Sequence, residues 1–286
     1  MVKTLVIATP IKKVNTDGVI YTDDLLATEE PLEIRLGFGE QRARQQQNIS
    51  VTMRTPGHDF ELAIGFLFTE GIIKSVNDIY QIKYCKHHNR EEEDSQNIVR
   101  VELHPHVEFE VNKLTRNFYT TSSCGVCGKA SIESIKTTCN IVSSNDTITI
   151  DADLIYQLPN ELRKHQNVFE YTGGLHAAAL FDTNGNLIFV REDVGRHNAL
   201  DKLIGAALPH HLITPSSHHL LLLSGRASFE LVQKAAMAGI KVIAAVGAPS
   251  SLAVQMAKEF DSTLIGFLRE KRFNIYSGEK RVNVTK

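Results

Sequence analysis

The sequence predicts an α/β protein, with a mixed sheet carrying helices on both faces in its second half and a smaller strand-rich region before it. Three observations lead there. From residue 175 onward, short apolar strand-like runs alternate with helix-like ones, the pattern of βαβ units around a largely parallel sheet. Asn184-Gly185, between the first two of those runs, is a strong hairpin signal, so one sheet edge is expected to be antiparallel. Before residue 120 the runs are short, alternating and β-branched, with one helical interruption. The division is drawn as a strand-rich subdomain over 1–120 and an α/β subdomain over 121–286 that opens with a Cys-x-x-Cys loop.

Taken in order, residues 1–30 hold no strong period and read as an arm or edge strand. Strands are predicted over 49–55, 79–85, 98–103 and 107–111, with a polar turn at 90–96 between two of them. One helix interrupts them. Thr55-Pro56 gives it a start, Phe60, Ala63, Phe66 and Leu67 fall at helical spacing, and Gly71 can close it. Asp151 or Asp153 can cap a further helix with Leu154, Leu158 and Leu162 on one stripe. In the second half, strands are predicted over 175–181, 187–192, 220–224, 240–246 and 263–268, and helices over 196–208, 228–237 and 251–260.

Composition narrows the function classes. With 42% hydrophobic and 22% charged residues among 286, the chain can bury a full core and reads as an ordinary globular protein. Lys plus Arg (31) nearly balances Asp plus Glu (33), so no whole-molecule attraction to nucleic acid or anionic membranes is expected, and any anion site must be local. The longest apolar runs fall far short of the roughly 20 residues that span a bilayer. The first residues lack a long h-region and a small-x-small cleavage site, which favours a cytoplasmic location. Four cysteines are too few for a disulfide scaffold, and the close pair Cys124 and Cys127 points to metal or sulfur chemistry.

That pair sits in Ser123-Cys124-Gly125-Val126-Cys127-Gly128-Lys129, where glycine removes bulk around both sulfurs. Cations or a helix N-terminus beside it would favour the reactive thiolate. By spacing alone, a persulfide carrier, half of a zinc site, a dithiol/disulfide pair and an inert structural pair all remain open, with zinc the commonest use of such spacing. No second Cys-x-x-Cys exists to complete a zinc site. The adjacent pairs His87-His88, His210-His211 and His218-His219 would diverge on a regular element, and although His106-Val107-Glu108 precedes the pair, Ser123 stands where the Pro-Cys-x-x-Cys of the nucleobase deaminases has proline.

Four further stretches carry chemistry-bearing residues. Glu192-Asp193-Val194-Gly195-Arg196-His197-Asn198 ends a predicted strand and opens a helix, at the strand end where open α/β sheets bind ligands. Asp193 there also reads simply as a helix cap. Ser224-Gly225-Arg226-Ala227-Ser228 repeats the strand-to-helix arrangement, with a glycine that lets N–H groups approach an anion and an arginine fork. His176 follows a flexible Gly173-Gly174 turn and, by residue type, reads first as a packed core histidine. Phe267-Leu268-Arg269-Glu270-Lys271-Arg272, expected to end the last βα unit, reads as a solvated charged turn or as cations beside an aromatic suited to a guanine ring and phosphates.

Read together and in order, Cys124-Gly-Val-Cys-Gly128, Thr172-Gly-Gly-x-His176, Glu192 to Asn198 with Asp201-Lys202, Ser224-Gly-Arg-Ala-Ser228 and Gly266-Phe267 resemble the FdhD family of formate dehydrogenase accessory proteins. The match runs from about residue 30 to 280. The resemblance implies a cytidine-deaminase-like fold without the deaminase zinc machinery, and a homodimeric sulfurtransferase. It further implies that a cysteine desulfurase passes sulfane sulfur to Cys124 as a persulfide, with Cys127 receiving, relaying or resolving it. The cargo would be molybdenum bis(molybdopterin guanine dinucleotide), delivered to formate dehydrogenase, with GDP or GMP able to mimic its nucleotide part. The nucleotide would lie against Phe267, Leu268, Arg269, Glu270, Lys271 and Arg272, beside an anion pocket of Arg196, His197, Ser224, Gly225 and Arg226. This chain departs from the family by carrying Glu270-Lys271 where many members have Pro-Gly. The competing readings are a zinc-dependent, deaminase-like hydrolase and a non-enzymatic chaperone that only delivers the cofactor.

Overall fold

The computed structural model describes residues 3–85, 96–109, 148–214 and 218–284, and in it the chain builds two main sheets and one projecting ribbon. The ribbon comes first. Strands β1 (Val6–Asn15) and β2 (Gly18–Ala27) pair antiparallel along their whole lengths, with Gly18 at φ 140° leaving the turn. Within the stretch that shows no period, residues 6–27 thus form a hairpin whose faces are both wet, so no alternation of apolar and polar residues was required.

The four-stranded sheet follows, from β3 (Glu30–Phe38), β4 (Gln45–Arg54), β5 (Ile79–Tyr84) and β6 (Ile98–Leu103), in the order β4-β3-β6-β5. Leu32, Ile34 and Leu36 of β3 point to one face with Val99, Val101 and Leu103, and helix α1 (Asp59–Thr69) covers them with Leu62, Ala63 and Leu67. The helix starts later than Pro56 because Gly57 and His58 both take left-handed conformations, at φ 91° and 56°. Gly71, at φ 71°, closes it as predicted, and Ile72 N–H returns to the Leu67 carbonyl at 2.8 Å. The strand predicted over 107–111 is not seen in its described part, where Val107 N–H instead closes a turn on the His104 carbonyl.

The second half begins with β7 (Ile150–Asp151), α2 (Ala152–Lys164), α3 (Asn167–Thr172), β8 (His176–Phe181), β9 (Leu187–Asp193) and α4 (Arg196–Ala207). It continues through β10 (Leu220–Leu223), α5 (Phe229–Met237), β11 (Val242–Ala245), α6 (Ser251–Glu259), β12 (Thr263–Arg269), β13 (Arg272–Ser277) and β14 (Val282–Asn283). Six of these strands form one sheet in the order β13-β12-β11-β10-β8-β9. Strands β10, β11 and β12 run parallel, while β8, β9 and β13 join antiparallel. The sheet is therefore mixed, as predicted, but both of its edges are antiparallel rather than one. The Asn184-Gly185 turn makes the first, with Gly185 at φ 81°. The second went unseen because the β12–β13 turn, Glu270-Lys271, carries no hairpin residue.

Strict alternation along the sheet explains helices on both faces. Leu221, Leu223, Ile243, Ala245 and Leu264 look toward α4, α5 and α6. Leu220, Leu222, Val242, Ala244 and Ile265 look the other way, toward Ile155, Leu158 and Leu162 of α2. The two halves meet where α1 crosses α4. A Cβ at Gly65 would overlap the Asp201 carbonyl, and one at Gly205 the Glu61 carbonyl, so the two helix backbones touch directly. Among the described residues, no helix is long and apolar enough to cross a membrane.

Candidate functional site

The antiparallel placement of β8 and β9 gathers five chain segments on one edge of the six-stranded sheet. The start of β8 and the end of β9 stand beside the ends of β10, β11 and β12, since His176 pairs with Asp193 and Leu223 pairs with both Ala178 and Ala245. Carboxyl ends of parallel strands are where open α/β sheets take ligands, because the following loops and helix starts present unpaired N–H groups.

Three loops stack along this edge by backbone hydrogen bonds. Val246 N–H donates to the Leu223 carbonyl at 3.0 Å, Gly247 N–H to Gly225 at 2.8 Å, and Phe267 N–H to Gly247 at 3.0 Å. Ala227 and Ser250 extend the contact through Ala227 N–H to Ala248 and Ser250 N–H to Ala227. The packing is tight enough to dictate sequence. A Cβ at Gly247 would lie 2.9 Å from backbone atoms of Arg226 and Gly225, which cannot give way, and one at Gly225 would lie 3.2 Å from Nδ1 of His176. The loop at 247–250 is a part of the edge that sequence reasoning missed. Its signal was a third strand end followed by Gly-x-Pro-Ser, with Ser250 Oγ capping α6 by accepting from Ala253 N–H.

The segment 192–202 divides into an inward and an outward part. Asp193 is fully buried; its Oδ1 accepts from Gly195 N–H and Asn198 Nδ2, and its Oδ2 meets Thr55 N–H and Lys202 Nζ, the last at 2.6 Å. Lys202 also donates to the Thr55 carbonyl, and Asn198 to that of Met53. Glu192 accepts the N–H groups of Val168 and Phe169 at the start of α3. These residues fasten the end of β4 and the start of α3 to the sheet edge. Of the motif, Arg196 and His197 remain at the edge. Arg196 Nε is a buried atom with no hydrogen-bond partner among the described residues, whereas His197 and Ser228, without a close hydrogen bond, face the Glu230 carboxylate and hold it down at about 2, His197 contributing most. His197 Nε2 stands 3.9 Å from Glu230 Oε2, in ion-pair range but beyond a hydrogen bond.

Electrostatics at the edge are cationic. The His176 imidazole is pushed below its ordinary value, first by burial and then by Arg196 and His197, with Asp193 acting in the opposite sense. Arg226 is exposed at the lip. Phe267 is held at φ 53°, a left-handed conformation uncommon for a bulky residue, and the residue is 42% exposed. Arg269 folds back, Nη1 donating to the Val246 carbonyl at 2.7 Å, while Lys271 and Arg272 stay exposed. Leu268, expected within the nucleotide-binding turn, is fully buried in the core below the sheet, so its side chain faces away from the edge. Glu270 lies at the β12–β13 hairpin tip, within reach of Asn160. Cys124 and Cys127 lie outside the described residues, as does Cys139; Cys85 is a half-buried free thiol at the end of β5.

The strand edge of this mixed α/β sheet thus brings together tight loops, a buried unpartnered arginine nitrogen and several cations. The chain belongs to the FdhD/NarQ family, whose sequence model matches residues 27–283. It is 51% identical over 263 residues to the "Sulfur carrier protein FdhD" of Mycolicibacterium paratuberculosis, covering 92% of this chain and 93% of that protein. Identity to the protein of the same name from Streptomyces coelicolor is 50% over 268 residues, with 93% and 92% covered. A relative of that name from Sulfurisphaera tokodaii is 42% identical over 270 residues, with 94% and 96% covered. A crystal structure described as a formate dehydrogenase accessory protein from Desulfotalea psychrophila shares the fold, with a TM-score of 0.73 at 24% identity, covering 98% of this chain and all of that one.

Proposed function

We propose that this chain is a cytoplasmic sulfur carrier that takes up sulfane sulfur on Cys124 and hands it to molybdenum bis(molybdopterin guanine dinucleotide) destined for formate dehydrogenase. The observation that carries the reading is the relationship itself: half of the residues match proteins named sulfur carriers along more than nine-tenths of the chain. The sheet edge supports the cargo half of the proposal. Arg196, His197, Ser228 and Arg226 offer donors to a diphosphate, and the exposed Phe267 ring offers a stacking face for a purine. Holding a large anion there requires local cations, since the net charge of −2 supplies no general attraction.

In the uptake step, the Cys124 thiolate attacks the outer sulfur of a persulfide on the donor, a cysteine desulfurase. A new S–S bond forms at Cys124 as the donor's own S–S bond breaks, and the donor leaves as a thiolate. In delivery, the bond between Cys124 and the carried sulfur breaks with both electrons remaining on Cys124, so the acceptor supplies the pair for its new bond to sulfur. Cys127 is the partner thiol that relays or resolves. A cytidine-deaminase-like lineage belongs to the same proposal and agrees with the parallel β10-β11-β12 core flanked by α5 and α6. Incubation with a cysteine desulfurase and cysteine, followed by peptide mass analysis, tests it. A gain of about 32 Da, one sulfur atom, on the peptide containing Cys124 is expected. Cofactor binding with no such gain would replace the carrier by a delivery chaperone.

A further inference from the structure

A serine precedes both α5 and α6 at the strand edge, yet the two behave differently. Ser250 Oγ caps α6 by accepting from Ala253 N–H at 3.2 Å, the ordinary use of a serine at that position. Ser228 stands at the same place before α5, with equally extended backbone, and its hydroxyl makes no cap. It is buried and without a close hydrogen bond among the described residues, and it faces the carboxylate of Glu230 in the first turn of α5. His197, at the start of α4, faces the same carboxylate, Nε2 standing 3.9 Å from Oε2.

An acid in the first turn is a common complement to the helix dipole. What sets Glu230 apart is its second partner, since it reaches out of its own helix to a histidine at the head of another. His197 above all, with Ser228 and the backbone N–H of Glu230 adding, holds the carboxyl at about 2, so at neutral pH it is an anion. The contact is half open, with 39% of the His197 side chain and 55% of the Glu230 side chain exposed, and an ion pair so wet exchanges readily. The empty protein therefore already carries one anion at its cationic edge, set against two of the donors that a diphosphate would use. An ionised carboxylate only accepts, and a second anion brought to the same donors meets a like charge.

We propose that Glu230 is a built-in competitor for the cargo: its carboxylate holds His197 and Ser228 in the empty protein, and the diphosphate of the guanine nucleotide must turn it out in order to bind. This rests on the edge holding the nucleotide, the cargo half of the proposed function, and adds a limit on affinity. A carrier has to release what it holds, and a tethered anion, always present at high local concentration, favours release without a change of fold. Exchanging one anion for another also leaves neither donor stranded when the cargo departs.

Calorimetric titration of the full chain with GDP tests the proposal. Glu230→Gln, which keeps the shape and removes the charge, should bind GDP about fivefold or more tighter than the parent. Glu230→Ala should also bind more tightly, and acetate in place of chloride at equal ionic strength should weaken its GDP binding while leaving the parent unaffected, because the free carboxylate refills the vacated place. Equal or weaker GDP binding by Glu230→Gln, beside a parent that binds, overturns the competitor and leaves the edge as the nucleotide site. Indifference of Glu230→Ala to acetate overturns it too, reducing Glu230 to a distant like charge. Absence of GDP binding in the parent and in both variants removes the competitor together with the cargo site, while sulfur uptake on Cys124 stands or falls by its own mass measurement.

Discussion

His176 shows how one residue ties the strand edge to pH. Burial and the neighbouring Arg196 and His197 hold its imidazole below the ordinary value of 6.5, against the pull of Asp193. Since the unfolded chain then takes up the proton more readily, the stabilisation from a neutral His176 is complete above pH 6.5 and is lost as pH falls through the lowered folded value. A His176→Asn variant should therefore lose less melting temperature than the parent on moving from about pH 7 to about pH 5. Equal losses would remove the residue from that role. An anion at the edge favours the charged ring, so GDP binding should strengthen toward low pH in the parent more than in the variant. Arg226→Ala should weaken GDP binding by roughly tenfold or more, as expected for a charge-assisted contact; unchanged binding by calorimetry would place the nucleotide elsewhere. Arg196, His197 and Arg226 were visible in the sequence as residue types at strand ends. The inward turn of Asp193, Asn198 and Lys202 was not, because Met53 and Thr55, which complete that cluster, come from a strand end in the other half of the chain.

At the scale of elements, the α1–α4 crossing fixes how the two sheets are joined. Gly65 and Gly205 let the helices meet backbone to backbone, and a methyl group at either has only carbonyl groups to displace. Gly205→Ala should cost about 1–3 kcal/mol or more in urea unfolding, the range for overpacked cores, because neither helix can withdraw without dragging its sheet. A cost near zero would mean that the crossing is looser than described. The second-half elements were legible almost residue by residue, since apolar runs of four to seven residues were separated by amphipathic stretches. Strand β3 and the β12–β13 hairpin were not, and for different reasons. The first follows the arm with no turn residue to announce it, whereas the turn of the second, Glu270-Lys271, looked like a solvated loop. The short helix α3 escaped because its start is capped from a distance by Glu192 rather than by a local residue.

On the scale of the whole molecule, the fold sets a cationic strand edge on buried cores that rigidify it, with an exposed two-stranded ribbon beside them. The edge was foreshadowed by four of the five short motifs, whose order along the chain carried more information than any one of them, while the fifth, Cys124 to Gly128, lies outside the described residues. The ribbon was not, because exposure on both faces leaves no periodic trace. Sulfur carriage is the claim on which the proposed function depends, and it is tested most directly by weighing the peptide that contains Cys124 and Cys127 after exposure of the full chain to a cysteine desulfurase and cysteine. The account predicts a gain of about 32 Da that reducing agent removes and that Cys124→Ala abolishes. An unmodified peptide in the parent, from a protein that still binds GDP, would contradict it.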